Sequence, residues 1–181
     1  TLRVISPQGA HGNRPTVIYY HGGCFVSGGF ATHEKQLRQL AYHSGCRVIA
    51  MQYRLAPEHV YPAAHDDAHH AATLVWQHAD FLGVDREQIT LAGDSAGGHI
   101  ALITALRLRD QNRWLPHKLL LIYPMLDATA SFDSYQRNGD DYIITRDTLL
   151  SGYEAYFPDI DLKHPEVSPL WRCDFSGLPP T

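Results

Sequence analysis

The sequence predicts an α/β fold: one mostly parallel sheet with helices on both faces. Two observations carry that reading. Short β-branched, aliphatic or aromatic runs alternate along the chain with longer stretches of helical periodicity. The stretches between successive runs are long enough for crossover helices, which pair strands in parallel and cover the sheet on both sides. A third observation sets the scale. With 181 residues, 44% apolar and 19% charged, the composition suits one globular domain with a real core rather than a disordered chain.

Thr1 to Ser6 is a short extended stretch, and Pro7 to Pro15 is turn-rich. Thr16 to Tyr20 (TVIYY) has the β-branched and aromatic content of a strand. Thr32 to Ser44 carries Leu37, Leu40 and Ala41 at helical spacing and stops at Gly45, a good C-terminal cap. Val48 to Tyr53 is the next strand. Pro62 opens a second helix, where its missing N–H costs little. Its apolar residues Ala64, Ala68, Ala71, Ala72, Val75, Ala79 and Leu82 lie along one face. Ile89 to Gly93 is a strand, Gly97 to Arg109 a helix, and Lys118 to Tyr123 a strand ended by Pro124. After Asp127 the chain turns polar, turn-rich and aromatic, with one helix around Asp147 to Phe157. It divides into a core, residues 1–127, and a cap- or lid-like excursion, residues 128–181, that leads toward a further strand.

The formal net charge of −4 leaves no basic footprint for nucleic acid or an anionic membrane. No apolar run approaches the ~18 residues of a spanning helix. Thr1 to Ala10 is neither basic nor continuously apolar, so no signal peptide is expected there. Cys24, Cys46 and Cys173 are too few and too scattered for a disulfide framework, and a cytoplasmic location is expected.

Chemistry concentrates at two glycine-rich segments that each follow a strand. Gly93-Asp94-Ser95-Ala96-Gly97-Gly98 carries the G-x-S-x-G pattern between a strand and a helix. A sharp turn there exposes the Ser95 hydroxyl as a nucleophile, and small neighbours let strand and helix approach closely. The helix start that follows favours developing negative charge. His21-Gly22-Gly23-Cys24-Phe25 follows the strand Thr16 to Tyr20. Glycines let such a loop aim backbone amides at a tetrahedral oxyanion. Gly22, Gly23, Cys24 and Ala96, the residue after the nucleophile, are the expected oxyanion-hole residues.

With Tyr53-Arg54-Leu55-Ala56-Pro57-Glu58, Tyr61-Pro62-Ala63-Ala64, Tyr123-Pro124 and Ser168-Pro169-Leu170 added, the chain resembles the hormone-sensitive-lipase-like family of α/β-hydrolase carboxylesterases, particularly its bacterial acetyl-esterase-like members. The resemblance runs in order along nearly the whole chain. It implies an eight-stranded α/β-hydrolase sheet, ester hydrolysis without a cofactor, and small short-chain acyl esters as substrates. It also exposes departures. Cys24 stands where the family usually has a third glycine. The family's N-terminal cap helices precede the part that matches, and the last two strands, which bear the triad Asp and His, have no counterpart in residues 1–181. Without those strands, Lys118 to Tyr123 becomes a sheet edge that invites a partner chain, a second copy or aggregation.

Asp127 and His164 are weaker stand-ins for the acid and the base. A small-molecule binder on the same fold is the alternative function. Twelve histidines invite a metal reading, but no zinc-type spacing supports one, and no metal is expected. His65-Asp66-Asp67-Ala68-His69-His70 lies mostly off the apolar stripe and is expected to face solvent. His21 reads as a loop-shaping residue, His99 as packing, and Arg54 with Glu58 as the ion pair that holds the loop after Tyr53.

Overall fold

The computed structural model describes residues 1–9 and 11–181. Ala10, within the turn-rich stretch before the second strand, lies outside the described residues. Strands β1 (Leu2–Ile5), β2 (Arg14–Tyr20), β3 (Arg47–Met51), β4 (Val84–Asp94) and β5 (Lys118–Ile122) form one sheet in the order β1-β3-β2-β4-β5. β2, β3, β4 and β5 are parallel, and β1 adds antiparallel to β3. The register sets Tyr20 beside Gly93 and Asp94 beside Ile122, so the ends of β2, β4 and β5 open at the same rim. In such sheets that rim is where sites form.

Helix α1 (Phe30–Ser44) covers one face and α2 (Ala63–Gln77) with α4 (Ala96–Asp110) the other. The alternation along β2 makes the division visible. Val17 and Tyr19 pack with Leu37 and Ala41 of α1, whereas Ile18 and Tyr20 join the larger core with Ala68, Val75, Ile100 and Ile103. Helix α1 ends as the sequence predicts, with Gly45 left-handed at φ 69° and its amide on Ala41 O. The α2 stripe is buried at Ala64, Ala68, Ala71, Ala72 and Val75, but the predicted single helix breaks at His78. A short α3 (Ala79–Leu82) follows, closed by left-handed Gly83.

Residues 128–181 hold α5 (Asp133–Arg137), α6 (Arg146–Tyr156) and a 3-10 turn (Pro169–Trp171). Only α6 is legible from periodicity. This segment docks through Tyr153, Tyr156, Phe157 and Val167, all buried in the larger core. β5 lies at the edge of the described sheet, with Leu120 exposed and the Leu119 amide on Pro180 O at 2.9 Å. Among the described residues, no helix is long and apolar enough to cross a membrane.

Two expectations about side chains fail. His65 is buried, not solvent-facing, because α6 covers the flank of α2 that a lone helix would leave open: His65 Nδ1 lies 2.9 Å from Tyr156 Oη. Arg54 pairs with Asp67 rather than Glu58, through Nη2 to Oδ1 at 2.7 Å and Nε to both oxygens. Asp67 sits on the first turns of α2, close to where the loop after β3 returns.

Candidate active site

Ser95 joins β4 to α4 at φ 54° and ψ −119°, a conformation that non-glycine residues rarely hold and that costs of order 1–3 kcal/mol. Its backbone is braced on both sides. The amide donates to Ile122 O at 2.9 Å, and the carbonyl accepts from His99 N at 3.1 Å and Met125 N at 3.2 Å. The turn closes because its neighbours lack side chains. A Cβ on Gly93 would strike the Gly97 backbone, and one on Gly97 would strike the carbonyl of Tyr20.

Ser95 lines a cavity of about 570 Å³ with Gly22, Gly23, Cys24, His33, Asp94, Tyr123, Met125, Tyr135, Ile144 and Leu149, among others. The sheet rim therefore brings the two glycine-rich segments to one cavity. Ala96 is fully buried at the start of α4, directly after Ser95. Gly23, Cys24 and Phe25 all have positive φ (128°, 51° and 67°), which turns the loop back on itself. Among the described residues, the amides of Gly23, Cys24 and Ala96 meet no hydrogen-bond acceptor.

The Gly22 amide is already engaged: it donates to Asp94 Oδ1 at 3.0 Å. Asp94 also accepts from Tyr19 Oη at 2.8 Å and faces His33 Nε2 at 3.3 Å. Burial alone would raise the Asp94 pKa, but the hydrogen bonds from His33, Tyr19 and Gly22 more than offset it and hold the group below the usual carboxylate range. A Cβ at position 22 would collide with this carboxylate. Asp94 thus pins the loop to the elbow. Tyr53 and Ala56 hold it from the other side, through Tyr53 Oη to His21 O at 2.6 Å and Ala56 N to Phe25 O at 3.0 Å. His21 shapes the loop as expected, with Nδ1 on Gly22 O at 2.8 Å and its ring stacked on Tyr53. Burial drives the Cys24 thiol up, so it stays protonated at neutral pH.

No hydrogen bond joins Ser95 Oγ to a histidine among the described residues. His33 shares the cavity, but its nitrogens face Asp94 and, at 2.7 Å, Thr32 Oγ1. Asp127 binds its own loop, accepting from Thr129 and Ser131 through both amides and both hydroxyls. His164 caps a turn, receiving the Glu166 amide at 3.2 Å. Neither borders the cavity. Asp94, His33 and Tyr19 are the site residues that sequence reasoning missed. Their partners lie 61 to 75 residues apart, which no motif spacing records.

Residues 17–181 match the alpha/beta hydrolase fold family. The chain belongs to that family. Among curated proteins, it is 38% identical over 183 residues to Carboxylesterase NlhH of Mycobacterium tuberculosis, covering 99% of this chain and 57% of that one. It is 41% identical over 179 residues to an acetyl esterase of Salmonella paratyphi B, covering 98% and 54%. Among solved structures, a hyperthermophilic esterase of the archaeon Pyrobaculum calidifontis superposes with a TM-score of 0.94 at 41% identity, covering 99% of this chain and 59% of that one. The chain therefore spans little more than half the length of these relatives.

Proposed function

We propose that this chain carries the nucleophile and the oxyanion site of a serine ester hydrolase acting on small short-chain acyl esters. One observation supports this above the rest: strained Ser95 shares a cavity with Gly23 and Cys24, whose amides meet no acceptor among the described residues. Ser95 Oγ attacks the ester carbonyl, and the C=O electron pair moves onto oxygen. That oxyanion is received by the amides of Gly23, Cys24 and Ala96, while Gly22, tethered to Asp94, serves as the anchor of the loop. Collapse expels the alcohol and leaves the acyl group on Ser95; water then releases the acid. The Oγ proton passes to a histidine base held by an acid, for which residues 1–181 have no matching position. Met125, Tyr135, Ile144 and Leu149 form an apolar wall suited to a short acyl chain. Residues 128–181 act as a cover over this mouth. The names of the curated relatives support the same reading. Three cysteines without a disulfide fit a reducing cytoplasm.

Ser95→Ala in the full-length protein is the test. Hydrolysis of p-nitrophenyl acetate and butyrate should fall about 10³-fold or more with an unchanged melting temperature. Turnover at the wild-type rate would overturn the assignment. Tight ester binding without turnover by the wild type would favour a binding protein instead.

A further inference from the structure

Two buried histidines have no part in the chemistry above. His65 on α2 and His99 on α4 are 1% and 0% exposed, and their Nε2 atoms face each other at 3.1 Å. The hydrogens of this pair can be placed one by one. His99 Nδ1 lies 2.7 Å from Met125 O, which can only accept, so Nδ1 carries a hydrogen. The Nε2 of a neutral His99 is then a bare acceptor. His65 must hold its hydrogen on Nε2 for the 3.1 Å contact to be a hydrogen bond. That leaves His65 Nδ1 to accept from Tyr156 Oη at 2.9 Å. The Tyr156 oxygen meanwhile receives the amides of Ala64 and His65, at 3.0 and 3.3 Å, and has its own hydrogen to give.

The neutral chain therefore runs one way: Tyr156 O–H to His65, His65 N–H to His99, His99 N–H to Met125 O. The Met125 amide then donates to the carbonyl of Ser95. The reverse direction puts hydrogens on both nitrogens of His99, which buries an unpaired imidazolium, and strips the Tyr156 hydroxyl of its acceptor. The carbonyl of Glu166, 3.1 Å from His99 Nε2, is the one neighbour that the neutral chain leaves unserved. Burial lowers the basicity of both rings, in keeping with the neutral form.

We propose that His65 and His99 are positioning residues, a relay of fixed tautomers that couples the docking of α6 to the backbone geometry of Ser95. The inference rests on Ser95 being the nucleophile, and its reach is specific. Helix α6 belongs to the segment that covers the cavity, and it also touches the site directly: Leu149 lines the cavity, and Gly152 packs so closely on Cys24 that a Cβ there would meet the Cys24 backbone. One helix thus touches both halves of the site, the oxyanion loop through Gly152 and the nucleophile turn through the relay.

The experiment has two arms, both on the full-length protein. Nitrogen-15 NMR of the imidazoles at neutral pH reads the wiring without any catalysis. His65 should be the Nε2–H tautomer and His99 the Nδ1–H tautomer; the opposite tautomer or an imidazolium at either ring overturns the relay. The second arm measures the labelling rate of Ser95 by a fluorophosphonate probe. His99→Leu and His65→Leu should each slow it about tenfold, the effect of one lost buried hydrogen bond. His99→Asn and His65→Gln, which retain a donor near the same positions, should recover most of that loss. Equal rates in all four variants and the wild type would refute the positioning role. If a leucine variant fails to fold, Tyr156→Phe removes only the first donor. It should leave His65 in mixed tautomers with slower labelling, and an unchanged tautomer and rate would count against the proposal. A wild type that the probe does not label would sink the nucleophile assignment, while the NMR arm still decides the wiring.

Discussion

Ser95 and Ile144 line the same cavity, yet the chain around them is held in opposite ways. At Ser95 the backbone is strained, its amide and carbonyl are both bonded, and the glycines beside it leave no spare volume. Around Ile144, the side chains of Tyr142, Ile143 and Ile144 are 62%, 100% and 50% exposed, and the backbone tie nearby is the Arg146 amide to Gly139 O. The difference teaches where rigidity is required. A strained residue persists only where its surroundings over-determine it, so the turn must be built from close backbone contacts. A cavity wall that only excludes water carries no such demand and can be loosely held.

Gly97→Val should break this contrast most severely. Its Cβ would meet main-chain atoms of Tyr20 and His21, which cannot rotate away. A loss of about 4 kcal/mol or more, or no soluble folded protein, is expected in denaturant unfolding. Near-native stability would show that strand and helix are not in tight approach.

Acid gives the next effect, and its sign follows from the buried relay. Burial drives the His99 pKa from 6.5 down to about 4 and holds His65 well below its usual value, the latter aided by His99 and Arg107. Between about pH 6.5 and 4, the unfolded chain takes up protons that the folded chain refuses. Stability is therefore fully present above pH 6.5 and falls as pH is lowered through that window. His99 alone should contribute about 2–3 kcal/mol of loss by pH 4.5. Thermal unfolding across pH 7 to 4.5 measures this slope, and His99→Asn should flatten it. A midpoint independent of pH would mean that the pair is already solvated.

Ile143→Ser marks the small end of the scale. A fully exposed side chain at the loosely held mouth has no packing to lose. The melting temperature should move by about 2 °C or less. A larger drop would reveal that this stretch is braced as the elbow is.

Residue order alone decides what is local here. The strand runs, the cap at Gly45, the G-x-S-x-G turn and the glycine loop are all legible because each depends on neighbours within a few positions. Periodicity also recovers α6, whose inner face is regular enough to register. It misses α5, which has no buried residue to mark a face. Tertiary structure decides the rest, for one physical reason: a side chain's partner is chosen by packing between distant elements, which periodicity does not encode. Helical spacing assigns His65 to the solvent side of α2, but α6 arrives about 90 residues later and buries it. Arg54 has Glu58 nearby in sequence but finds Asp67 across the turn onto α2. The glycines of the loop after β2 look equivalent as letters. Only the folded sheet brings Asp94 to Gly22 and engages that amide, while those of Gly23 and Cys24 meet no acceptor among the described residues.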